Sequence, residues 1–171
     1  MIILIVSIDH FLQLTEAQTD SVNRRKLKLA LRALLETHIA KRRVSGIFEE
    51  SLPHKMTIAC QLAGQGTPPI PWHNIIMTED ERKEAGIFEE LKNRPARLDL
   101  NDPTMEIEKR IPADDVREDF FTKEILKAND ADGEVLVLLG DMHVMPVAEK
   151  LRALGHTVNA RHELVPVKRW E

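Results

Sequence analysis

Three short motifs carry the residue types that ligate metals or move protons: Asp9-His10, Glu49-Glu50 and Gly140-Asp141-Met142-His143. Imidazole and carboxylate groups together can hold a divalent cation, or act without metal as general base and orienting acid. The candidate metal ligands are His10, His143 and Glu49, with Asp9 and Asp141 as further oxygen donors or as partners that orient the imidazoles. Such a ligand set suits zinc, manganese, cobalt or iron and leaves positions open for water or substrate. The candidate catalytic groups are His10, Glu49, Glu50 and His143, joined by Arg82 and Arg117. A guanidinium beside them would grip a carboxylate or phosphate, or stabilise developing negative charge. Each residue also has a plainer reading, since histidine and aspartate are common in turns and arginine is common on solvated helix faces.

These motifs gain weight from the segments that precede them. Val135-Leu136-Val137-Leu138-Leu139 is an unbroken aliphatic run, which fits a strand buried on both faces of a mainly parallel sheet. Ile2 to Ile8 reads the same way and ends at Asp9-His10. Ligands in open α/β sheets bind beyond the carboxyl ends of the strands, which is where both histidines fall. In chain order Val44 to Phe48 is the second strand and ends at Glu49-Glu50, Trp72 to Met77 is the third, the Val135 run is the fourth, and Thr157 to Leu164 is the fifth, an edge strand.

Between them the apolar spacing of Leu27, Leu31, Leu34, Leu35 and Ile39 predicts a helix over Ser21 to Lys41. Pro53 is expected to open a helix ending near Ala63. Thr78-Glu79-Asp80-Glu81 is a capping box that starts a helix toward Asn93. A further helix is expected from Ala113 to Ala128. Pro146 suits the first position of the last helix, stopped by Gly155, which leaves His143 in a short open loop. Residues 95–112, with three prolines, read as an irregular segment or a lid over the site.

The expected fold is therefore a single α/β domain over 1–165, a three-layer sandwich around a five-stranded, mainly parallel sheet, with residues 166–171 as a tail. Placing the two most apolar strands side by side at the centre gives the order 3-2-1-4-5. A chain of 171 residues can bury roughly 70% of its unfolded surface, so it needs no staples. The one cysteine, Cys60, excludes an intrachain disulfide and fits a reducing compartment. The apolar N-terminus lacks the basic flank and length of a signal or membrane segment, so a soluble cytoplasmic protein is expected.

The net charge of −4 is unevenly distributed: Arg24 to Arg43 holds eight basic residues against Glu36 alone, and Glu79 to Asp119 holds fourteen acidic and eight basic. With no tyrosine and no aromatic on the basic helix, nucleic-acid binding is disfavoured. A solvated face or pairing of opposite faces in a homo-oligomer explains the charge as well. No Gly-x-Ser-x-Gly, His-Glu-x-x-His, Cys-x-x-Cys, P-loop or dinucleotide fingerprint occurs, which removes the commonest hydrolase, kinase and dehydrogenase devices.

In order, strand-His10, strand-Glu49 or Glu50, Arg82 or Arg117, and Gly140 with His143 before a helix resemble the superfamily that includes TraB/ChaN-like and erythromycin-esterase-like proteins. Where that pattern has Gly-x-x-His at the first strand, this chain has Ser7-Ile8-Asp9-His10. Its members include metal-dependent peptidases, a metal-independent esterase and haem binders, so the resemblance implies a site rather than one reaction. Two functions follow as expectations. One is a small hydrolase acting on a small-molecule or peptide substrate through the His and Glu groups, with or without a divalent metal. The other is a non-enzymatic ligand-binding or interaction protein, such as a small-anion sensor, on the same scaffold.

Overall fold

The computed structural model describes residues 1–8, 10–15, 22–41, 44–94, 110–127 and 133–161. In chain order the elements are β1 (Ile2–Ser7), α1 (His10–Gln13), α2 (Val22–Lys41), β2 (Val44–Glu49), α3 (Ile58–Gln65), β3 (Trp72–Asn74), α4 (Glu79–Glu84), α5 (Phe88–Lys92), α6 (Pro112–Leu126), β4 (Glu134–Leu139), α7 (Asp141–Ala153) and β5 (Thr157–Arg161). Asp9, the expected irregular segment up to residue 109, and the end of the edge strand with the tail lie outside the described residues.

The strands form one five-stranded sheet in which every pairing is parallel. Its order is β3-β2-β4-β1-β5. The two most apolar strands are adjacent and interior, as their composition requires, but they are exchanged relative to the expected 3-2-1-4-5. The physical reason lies in burial. All six residues of β4 are buried, whereas Ile2 of β1 is 47% exposed, so the strand with the most complete apolar run takes the middle, flanked by β2 and β1.

Strand periodicity splits the core into two layers. Ile3, Ile5, Val135, Val137 and Leu139 face α6 and α7, where Phe121, Ile125, Val144 and Val147 cover them. Leu4, Val6, Ile47, Leu136 and Leu138 face α2 and α3 and meet Leu31, Leu35, Ile58 and Leu62. Thus β4 sends its helix to one face while its neighbours β1 and β2 send theirs to the other. A smaller cluster of Met77, Ile87 and Ala113 seats the α4–α5 segment on α6.

Several elements begin or end away from the expected positions, each for a local reason. α3 starts at Ile58 and not at Pro53, because the Thr57 side chain accepts from the Cys60 N–H at 3.1 Å and caps it. β3 stops at Asn74 because the Asn74 side chain takes the Ile76 and Ser51 N–H groups at 3.0 and 3.3 Å. The helix predicted from the capping box breaks at Gly86, which adopts φ +72°, and resumes as α5. α7 begins directly after Gly140, so Pro146 sits inside the helix and His143 lies in its first turn, not in an open loop. No helix among the described residues is long and apolar enough to cross a membrane.

Candidate functional site

Glu49 ends β2 and Glu50 follows it, and the alternation of the extended chain sends them to opposite faces. On the α3 side, Glu49 is fully buried and its Oε2 accepts from Thr57 Oγ1 at 2.6 Å and Trp72 Nε1 at 2.8 Å. That carboxylate reaches the nearby Cys60: burial first, and the Glu49 charge second, push the thiol above its ordinary value. On the α6 side, Glu50 is 1% exposed. Its Oε1 accepts from Arg117 Nη2, and its Oε2 accepts from the Gly140 N–H at 3.0 Å, at the start of α7. Its backbone is fixed by Leu138 O at 2.9 Å and by Gln13 Nε2 at 2.8 Å.

His143 is 2% exposed, with Nδ1 3.0 Å from Glu118 Oε1 and its ring edge-on to Phe121. Glu118 thereby orients the imidazole through its Nδ1 edge. Arg110 donates to both Glu118 oxygens, and together with Asp115 these carboxylates hold its guanidinium firmly protonated. Asp141 opens α7 with an acid in the first turn, and its Oδ1 accepts from Ser7 Oγ at 2.9 Å, tying the end of β1 to the helix.

A chain of charges therefore covers the carboxyl ends of β2 and β4. Fully buried Asp114 caps α6 by accepting from the Ile111 N–H at 3.0 Å. It also accepts from Arg94 at 2.5 Å and lies 3.5 Å from Arg117. The Arg117 guanidinium lies 5.6 Å from the Phe121 ring centroid, a cation over an aromatic face. Three arginines thus each grip a buried carboxylate: Arg94 on Asp114, Arg110 on Glu118 and Arg117 on Glu50.

Arg82, brought over from α4, differs. Its Nε is buried and, like that of Arg94, has no hydrogen-bond partner among the described residues, but unlike Arg94 it hydrogen-bonds no carboxylate there. Desolvation first and the neighbouring Arg117 charge second lower its pKa, while Glu50 and Glu79 pull the other way.

The residues predicted from sequence are thus brought together in part. Glu50, Arg117 and Gly140 meet, Arg82 feels the charges of Glu50 and Arg117, and His143 joins the next turn of α6 through Glu118. Glu49 is held on the other face of the sheet, by α3 and β3, away from the Glu118 network that engages His143. His10 opens α1 after β1; its side chain and Asp9 lie outside the described residues. Among the described residues no group of three or more histidine, cysteine or acidic side chains has the geometry of a metal site. The described members of the expected ligand set are instead engaged with protein partners on two faces.

Sequence reasoning missed Asp114, Glu118, Arg94 and Arg110. Their signal is faint but present: Asp114, Arg117 and Glu118 fall three and four residues apart on one helix, the spacing of a shared face. Comparison of the chain with protein-family models, with curated proteins and with solved structures returns no match.

Proposed function

We propose that the protein binds a small oxyanion, a carboxylate or phosphate, at the carboxyl ends of β2 and β4. One observation carries this reading: of the four arginines gathered there, Arg82 alone has no hydrogen-bonded carboxylate among the described residues, and its Nε is nevertheless withdrawn from water. A buried donor without an acceptor costs about 1–3 kcal/mol, more when charged, and a ligand oxygen would relieve that cost. The location supports the same reading, since ligands of open α/β sheets sit beyond the carboxyl ends of the strands.

Titration calorimetry with sodium acetate and with inorganic phosphate tests it on wild type and Arg82→Gln. Saturable binding to wild type, weakened about tenfold or more by the substitution, is the expected result. Equal affinities, or no binding of either anion, would overturn the proposal.

A hydrolase is the second reading, favoured by the 3.0 Å bond between His143 Nδ1 and Glu118, the pairing of a base with an orienting carboxylate. Hydrolysis of aryl esters or peptides by wild type and its abolition in His143→Gln would support it. Undiminished turnover by that variant would remove His143 from the chemistry.

A further inference from the structure

Resting on the oxyanion reading above, we infer that Glu50 is the built-in occupant of the oxyanion seat, and that a bound ligand takes over the Arg117 guanidinium from it. The Glu50 carboxylate joins two donors of different origin, a guanidinium and the Gly140 N–H at the start of the 13-residue α7. Guanidinium plus a helix N-terminus is the donor combination that phosphate and carboxylate ligands themselves use. Glu50 is thus an anion already in such a place, tethered by its own backbone.

The backbone is held independently of the carboxylate. Hydrogen bonds to Leu138 and Gln13 fix the Cα, so the carboxylate can change partners without displacing the strand end. Arg82 supplies the asymmetry. It lies close enough to sense both Glu50 and Arg117, and its Nε has no acceptor among the described residues. An oxyanion that reached both Arg82 and Arg117 would gain a donor that Glu50, bonded to Arg117 and Gly140, does not use. Asp114, at 3.5 Å from Arg117, keeps that guanidinium oriented while the partners exchange. Glu50 then lowers the affinity of the site by competing for it, and it disfavours ligands of higher negative charge by leaving its own charge alongside.

The test is calorimetric titration of inorganic phosphate into wild type, Glu50→Gln and Arg82→Gln. Glutamine still offers an oxygen to Gly140 but has no charge for Arg117, so Glu50→Gln should bind phosphate about tenfold tighter, the equivalent of about 1.4 kcal/mol. Equal or weaker binding by a natively folded Glu50→Gln, with wild type binding and Arg82→Gln impaired, would overturn the internal-occupant inference and leave the oxyanion reading standing. No binding by wild type or by Glu50→Gln would remove both. The second measurement uses wild type alone and so does not depend on the variant's folding. Saturation with phosphate should shift the amide proton resonance of Gly140 as Glu50 rearranges, and an unmoved Gly140 amide at saturation would overturn the inference.

Discussion

Glu49 and Glu50 are adjacent in the chain and belong to different networks, because one step along a strand turns a side chain to the other face. Their partners decide what each can do: Glu49 is held by Thr57 and Trp72, and Glu50 by Arg117 and Gly140. His143 shows the same dependence on context. In an open loop its removal would be nearly neutral, but in the first turn of α7 it is buried on Glu118 and Phe121. His143→Ala should therefore cost about 1–3 kcal/mol in denaturant melts, by opening space and removing one partner of a buried carboxylate. A change within about 0.5 kcal/mol, typical of surface sites, would contradict that placement. Cys60 provides a second check. Because burial and Glu49 raise its pKa, less thiolate is present at neutral pH than for a free cysteine. Iodoacetamide should alkylate it more slowly in the native protein than in denaturant. The reverse order would show that the local field is not as described.

At the scale of elements, α4 matters because it carries Arg82. Its six residues would be marginal alone, and the Thr78 capping box with the seat on α6 holds them in place. Thr78 Oγ1 accepts from the Glu81 N–H at 3.3 Å, and Glu81 Oε2 accepts from the Thr78 N–H at 2.7 Å. Thr78→Ala should cost about 0.5–2 kcal/mol and also weaken phosphate binding, because Arg82 loses its fixed origin. Unchanged affinity with the expected loss of stability would show that α4 does not position the ligand. The same helix gives a pH dependence. The Lys83 hydrogen bond and charge hold the exposed Glu79 carboxyl below its ordinary value. Its folded pKa is therefore the lower one, so its contribution is present above the unfolded carboxylate range and is lost as pH falls through the folded value. Acid-range melts should be less steep for Glu79→Gln than for wild type, and identical pH profiles would remove this contribution.

For the whole molecule, the legible part of the sequence was the apolar periodicity. The aliphatic runs of β1 and β4 announced a buried parallel sheet, and the stripe of Leu27, Leu31 and Leu35 placed α2 almost to the residue. Strand order was less legible, because hydropathy says that two strands are central but not which lies inside the other. Glu50, Arg117 and His143 were visible as polar residues near strand ends or on a helix, and Gly140 as the glycine that follows β4. Asp114 and Glu118 were not, since a pattern reading assigns charges on a helix to solvent and α6 buries both. Leu138, fully buried in β4, should cost about 2–5 kcal/mol when truncated to alanine, and a smaller loss in thermal melts would contradict its central place. Oxyanion binding at this site turns on one atom, the buried Nε of Arg82. Its N–H resonance, assigned by its disappearance in Arg82→Gln, can be followed while inorganic phosphate is added to the wild-type protein. Saturable movement of that resonance is expected, and a resonance that stays fixed at every phosphate concentration would rule out oxyanion binding at Arg82.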